Sequence, residues 1–342
     1  MADVKTVTPA APAPAAPAAE NLGFLRGRHR FHWAESLPWV VGLAAYFVFP
    51  GYHQLGAQIL IACLFALSID LILGYAGIVS LGHAAFYGSG AYVAGLIAAK
   101  LAWHEPITGM LAGAAIAGVI GFLSGWVLLR TRGLTLLMLT LSFTIVLQEL
   151  ANEEEEYTGG ADGLRGITID PVLGMFPFNL WHDASYLYAL GVLFVVFLGV
   201  RALIYSPFGQ SLRGIRENER RMHAVGAPVH MRLVVVYAIS AAIAGAAGAL
   251  LAQTTQFVSL ETLGLLLSGD VLIMIIIGGY GRLYGAFIGA PIYLILQDQL
   301  AKLSPTYWQF GLGLVLVLIV LYAPRGVLGI LEDIGRRFRR KP

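Results

Sequence analysis

The sequence predicts an all-α polytopic membrane protein, and three observations carry that reading. Hydrophobic residues make up 58% of the 342-residue chain and charged residues only 12%, about half the charge of an ordinary soluble domain. Apolar runs recur along the chain, most of them close to the roughly 20 residues that cross a hydrocarbon core. The short alternating segments of an outer-membrane barrel are absent. Ten runs are expected to be helices, at 37–52, 55–73, 83–101, 107–129, 133–150, 185–204, 232–252, 264–280, 283–299 and 307–323. The first is short and ends at Pro50.

Charge placement orients them. With a cytoplasmic N-terminus, Arg26, Arg28, Arg30, Arg130, Arg132, the 201–232 passage, Arg282 and the 336–341 cluster all fall inside. Glu105, the Glu153–Glu156 run, Asp162 and Glu261 fall outside with few cations, as the positive-inside rule requires of short loops. Both termini are then cytoplasmic, which an even count of ten spans satisfies. The expected organisation is a disordered Ala/Pro-rich cytoplasmic tail over 1–35, a transmembrane permease domain over 36–325 and a basic cytoplasmic tail over 326–342. Within the domain, 151–184 forms a periplasmic loop and 206–228 a cytoplasmic segment.

Alternating Ala and Pro in the first twenty residues disfavour helix and resemble no secretory signal. The single cysteine, Cys63, lies in an apolar run and reads as a small core residue. The four glutamates at 153–156 read as a solvated face. A net charge of +2 says nothing of acidic partners, and no nucleic-acid partner is expected.

Ionisable residues at membrane depth are costly and default to functional hypotheses. Asp70, His83, Glu149, Asp270 and Asp298 qualify, although the last two fall near segment ends where headgroup water reaches. Asp70 and His83 flank the most glycine-rich stretch of the chain, in which Gly74, Gly77, Gly82, Gly88 and Gly90 admit irregular backbone. Such interruptions are tolerated in a bilayer where they face protein or a water-filled cavity. The translocation-path candidates are therefore Asp70, Gly74, Tyr75, Gly77, Ser80, Gly82, His83 and Gly88. Two simpler readings stand beside this one: glycines that only allow close helix packing, and a His83 bonded to a neighbouring carbonyl. A weak internal repeat, A-F-x-G-x-x-x-Y, occurs at Ala85–Tyr92 and Ala286–Tyr293.

The passage from Ser206 to Pro228 concentrates the chain's charge. Ser206 and Pro207 are a helix start, and Gly226 with Pro228 a stop. Leu212, Ile215, Met222 and Val225 form an apolar stripe between Arg213, Arg216, Glu217, Glu219, Arg220 and Arg221. This predicts an amphipathic helix or helix pair. A purely basic helix suits anionic lipid, but interspersed glutamates favour a groove on a protein partner.

No HExxH, GxSxG or phosphate-cradling GxxxxGK[ST] occurs, so no metal or catalytic site is expected, and any nucleotide-driven work must come from another chain. An ion-coupled secondary transporter using Asp70, His83 or Glu149 is the rival class.

Four segments, Gly74–Tyr92, Thr158–Leu164, Ser206–Gly226 and Gly278–Ile292, occur in order, and over residues 55–325 the chain resembles the LivM-type permeases of branched-chain amino acid ABC importers. The resemblance implies a non-enzyme transport subunit in the bacterial inner membrane that binds no cofactor of its own. Two cytoplasmic ABC ATPase subunits would hold ATP and Mg, a second LivH-like permease would complete the pore, and a periplasmic substrate-binding protein would deliver solute. It also implies ATPase coupling through Leu212, Arg213, Ile215, Arg216, Glu217, Asn218, Glu219, Arg220, Arg221 and Gly226. The passage departs from the importer pattern of two alanines after the glutamate, and Asp70 stands where Asn is more usual. Within the class, urea, short amides or another small acid are alternative solutes.

Overall fold

A computed structural model describes residues 36–101, 103–171, 183–322 and 326–329. The chain divides into two units, residues 1–37 and 38–342. Of the first only Ser36 and Leu37 are described, so the expected Ala/Pro tail, most of the basic C-terminal tail and part of the outer loop lie outside the described residues.

Helices form over all ten expected intervals. They are α1 (Leu37–Val48), α2 (His53–Asp70), α3 (His83–Lys100), α4 (Pro106–Leu128), α5 (Leu134–Glu153) and α6 (Asp183–Tyr205). The charged passage forms α7 (Pro207–Glu217) and α8 (Glu219–Ala224), followed by α9 (Val229–Thr255), α10 (Leu265–Gly278), α11 (Gly285–Leu303) and α12 (Trp308–Tyr322). Among the described residues, five helical stretches are long and apolar enough to cross a bilayer: 50–76, 106–128, 134–153, 184–205 and 229–255.

Burial sorts the helices into a centre and a periphery. α2 and α9 are enclosed nearly all round and pack on each other, and α3 is buried against α9 and α4. α4 and α5 turn large apolar side chains outward, among them Leu111, Leu123, Val127, Met138 and Val146, and α6 does the same with Val195. So much contiguous exposed apolar surface is stable only against lipid or another apolar chain. α9 packs most closely on α4 and α3, α10 on α11, and α2 on α6 and α9.

The tightest seam follows from small residues. Along α4, Gly109, Gly113, Ala117, Gly121 and Gly125 recur every fourth position and are all buried. They meet Gln253, Ala249, Gly245, Ala241 and Tyr237 of α9. In lipid, where apolar attraction between helices is weak, such small stripes gain stability by letting backbones approach.

α1 is held by its aromatic side chain. Trp39 makes edge contacts with Phe194, Phe197 and Phe287 at centroid separations of 4.9, 5.3 and 5.2 Å, a geometry that ring quadrupoles favour. Cys63 is buried in the main core, as its surroundings in the sequence suggest.

Candidate functional site

The site is built where three of the sequence motifs converge. α2 does not end at Asp70 but widens into a π-turn over Leu71–Ala76. Gly77 follows at φ +74°, and an irregular stretch then runs to the start of α3. Single π-turns within helices are rare and concentrate at functional sites.

Asp70 is buried, 1% exposed, yet bonded. Its Oδ1 accepts from the Gly281 backbone N–H at 2.6 Å, which draws the turn between α10 and α11 against the π-turn. Gly74 and Gly281 then meet backbone to backbone, and a Cβ on Gly74 would lie 2.5 Å from the Gly281 nitrogen. Oδ2 of Asp70 has no hydrogen-bond partner among the described residues.

The charged passage closes the same corner. Ser206 caps α7 by accepting from Gly209 N–H at 3.3 Å, with Pro207 in the first turn, and Asn218 caps α8 by accepting from Arg221 N–H at 3.0 Å. Gly226, at φ +82°, ends the pair. Arg216 of α7 donates to the Gly74 carbonyl, and its guanidinium lies 5.8 Å from the Tyr280 ring centre. Arg213 sits 5.2 Å from the Tyr75 ring centre, within cation–π range.

The apolar stripe is corrected here. Leu212 and Ile215, expected to face a partner, are 1% and 4% exposed and belong to this chain's own core. The stretch beneath α7 is itself apolar, and the burial of two large side chains there outweighs leaving them for a partner. Met222 is half-buried, and Val225 alone of the four stands clear, 75% exposed. Glu217, Asn218, Arg220, Arg221 and Gly226 face outward, whereas Glu219 pairs with Arg132 from the α4–α5 turn and lies 3.5 Å from His223. A cavity of about 460 Å³ lies beside this pair, lined by Gly77, Val79, Arg132, Leu137, Arg216 and Glu219 among others.

Deeper in the chain a polar line joins three helices. Ser240 of α9 donates to the Ser68 carbonyl of α2 at 2.5 Å, and its oxygen lies 2.8 Å from His83 Nε2. The hydroxyl has one proton and spends it on Ser68, so His83 Nε2–H is the donor to Ser240. Ser268 of α10 accepts from Ala84 N–H at 2.9 Å and so satisfies one of the orphan amides at the start of α3.

Of the eight path candidates, Asp70, Gly74, Tyr75, Ser80, Gly82, His83 and Gly88 are buried within the chain, and Gly77 is exposed. Gly82 abuts the Thr140 backbone and Gly88 the Leu263 side chain, so both allow close packing. His83 meets a hydroxyl rather than the carbonyl of the simpler reading. Glu149 is exposed. Asp270 is the sixth residue of α10, close to its start as expected, and accepts from the Tyr293 hydroxyl at 2.6 Å. Asp298 pairs with Lys302 at 2.6 Å. The A-F-x-G-x-x-x-Y octets occupy the same place, the opening turns of α3 and α11.

Sequence reasoning did not single out Gly281, Tyr280, Ser240, Ser268 or the α4 stripe. The four-residue glycine spacing was visible and could have found the last. The others depend on contacts across more than 60 residues of chain.

The fold and its apolar exterior define a multi-pass helical membrane protein, and the family can be given more closely. The family described as branched-chain amino acid transport system / permease component matches residues 52–321, and the chain belongs to it. The chain is 29% identical over 303 residues to the high-affinity branched-chain amino acid transport system permease protein LivM of Escherichia coli (strain K12), covering 81% of this chain and 70% of that one. It is 26% identical over 287 residues to LivH of the same organism, covering 78% and 90% respectively. An L-arabinose ABC transporter permease protein, AraH of Azospirillum brasilense, is 25% identical over 251 residues, covering 67% and 68%. No solved structure matches. The chain is thus a permease subunit of a branched-chain amino acid ABC importer, a transport component rather than an enzyme.

Proposed function

We propose that this chain forms one half of the membrane pathway of an ATP-driven importer in a bacterial inner membrane, working beside a second, LivH-like permease. Ten helices cross the bilayer with both termini cytoplasmic, which the match between ten apolar intervals and ten helices supports. A periplasmic substrate-binding protein delivers a branched-chain amino acid to the outer face. Two cytoplasmic ATPase subunits hold ATP and Mg; this chain contributes no nucleotide site.

The α7–α8 pair receives the ATPase. The observation that carries this reading is the division of labour along the pair. Leu212 and Ile215 are buried in the chain and Arg216, itself exposed, reaches back to the Gly74 carbonyl, while Glu217, Asn218, Arg220, Arg221 and Val225 stand outward with mixed charge. Mixed signs around one exposed apolar residue suit a protein groove and penalise misdocking. A push on the outer face is transmitted through Arg216 to the bend between α2 and α3, and so to helices that switch between outward and inward access. The switch is a two-state equilibrium that ATP binding in the partner biases.

The test is reconstitution in proteoliposomes with radiolabelled leucine. Uptake is expected only with the ATPase chains, second permease, binding protein and ATP all present. Uptake by this chain alone on a proton or sodium gradient would overturn the reading. The reversed-charge variant Arg220→Glu/Arg221→Glu should insert normally and lose co-purification with the ATPase.

A further inference from the structure

The π-turn leaves a backbone carbonyl without its helical partner, and the identity of the replacement donor is informative. In an uninterrupted α-helix the Gly74 carbonyl would accept from Ile78 N–H, four residues on. Here Ile78 N–H goes instead to the Ile72 carbonyl at 2.9 Å, and Gly77 N–H goes to the same oxygen. Gly74 is buried, so its displaced carbonyl needs another donor. Arg216 supplies it from α7.

The surroundings fix the ends of the turn. Asp70 at its start is tied to Gly281 N–H. Gly77 at its end sits in the left-handed region that a glycine adopts freely, with the Arg216 aliphatic stem against it. In the arrangement observed, Arg216 satisfies Gly74 and the ladder skips to Ile72. Were Arg216 withdrawn, the return of Ile78 N–H to Gly74 would satisfy the same carbonyl. Intermediate positions strand a buried carbonyl, which disfavours them.

We propose that Arg216 is a positioning residue that selects the hydrogen-bond register of the Leu71–Ala76 turn, so that displacement of α7 switches this turn rather than dragging α2 as a rigid rod. The inference rests on the ATPase-coupling reading above. It goes further by naming the element that changes state and the bond that holds it.

The experiment measures leucine imported per ATP hydrolysed by the complete reconstituted complex, for the parent, Arg216→Ala and Arg216→Lys. Loss of the donor should lower that ratio by about tenfold in Arg216→Ala, the effect of one charge-assisted hydrogen bond. ATP hydrolysis should continue, because Glu217, Asn218, Arg220, Arg221 and Val225 on the outward face are unchanged. Lysine, which keeps a donor and an aliphatic stem, should restore most of the ratio. A general packing defect would lower assembly and leave the ratio of the assembled complexes unchanged. Should Arg216→Ala fail to assemble, Arg216→Gln, too short to reach Gly74, replaces it under the same criteria. An unchanged ratio in assembled complexes overturns the inference while parental uptake still supports the coupling reading. Absence of ATP-driven uptake in the parent overturns that reading and the inference with it.

Discussion

Gly90 of α3 and Gly245 of α9 meet backbone against backbone, so closely that a Cβ on Gly90 would overlap Gly245 itself. The contact brings two central helices together, and backbone, unlike a flexible side chain, cannot swing aside. Gly90→Ala is expected to destabilise by roughly 1–3 kcal/mol, the usual range for overpacking a close-packed core. Gly191→Ala and Gly199→Ala on α6 meet nothing within 4 Å and should be neutral or raise stability by up to about 1 kcal/mol through helix propensity. Thermal unfolding in detergent separates the two classes.

The charged pair should divide by face. Leu212→Ala removes a buried side chain and is expected to cost about 2–5 kcal/mol. Val225→Asp should leave thermal stability within about 0.5 kcal/mol, as exposed substitutions do, while weakening association with the proposed ATPase partner. Parallel melting and pull-down measurements check both; equal effects of the two on stability would contradict the burial of Leu212.

Tyr293 and Asp270 join α11 to α10 by one hydroxyl–carboxylate bond. Tyr293→Phe should destabilise by roughly 1.5–3 kcal/mol, the range for bonds to charged groups. In a double-mutant cycle with Asp270→Ala the two losses should fall well short of additive, because both remove the same interaction.

Tyr186 of α6 donates to the Gly42 carbonyl at 2.6 Å, one of few polar ties holding α1. Tyr186→Phe is expected to cost about 1 kcal/mol, and hydrogen exchange should show the loss as faster exchange confined to α1. Trp39→Ala should loosen the same helix further, by about 3–5 kcal/mol for a truncated aromatic.

The helices were legible in the sequence because each depends on its own residues. Twenty apolar positions between polar turns need no partner to declare a span, and Ser206, Pro207 and Gly226 act on amides within a few residues of themselves. Asp70 and His83 were also legible as costly, since charge or polarity at membrane depth is unfavourable whatever surrounds it. Their partners were not. Gly281 is 211 residues from Asp70 and Ser240 is 157 from His83, and nothing local in either segment points to the other.

The sequence by itself therefore determined a multi-pass helical chain, its ten apolar helices and a charged amphipathic pair among them, because periodicity, capping and composition act over a turn or two. Only the tertiary structure decided which face of that pair turns inward. Leu212 and Ile215 read as a partner's contact until the apolar π-turn and α9 were folded beneath them. Arg216 read as a partner-coupling charge, and it does stay exposed, but the widened turn also gives its guanidinium the Gly74 carbonyl to satisfy. Hydrophobicity says that a side chain must be buried, and only three-dimensional packing says against what.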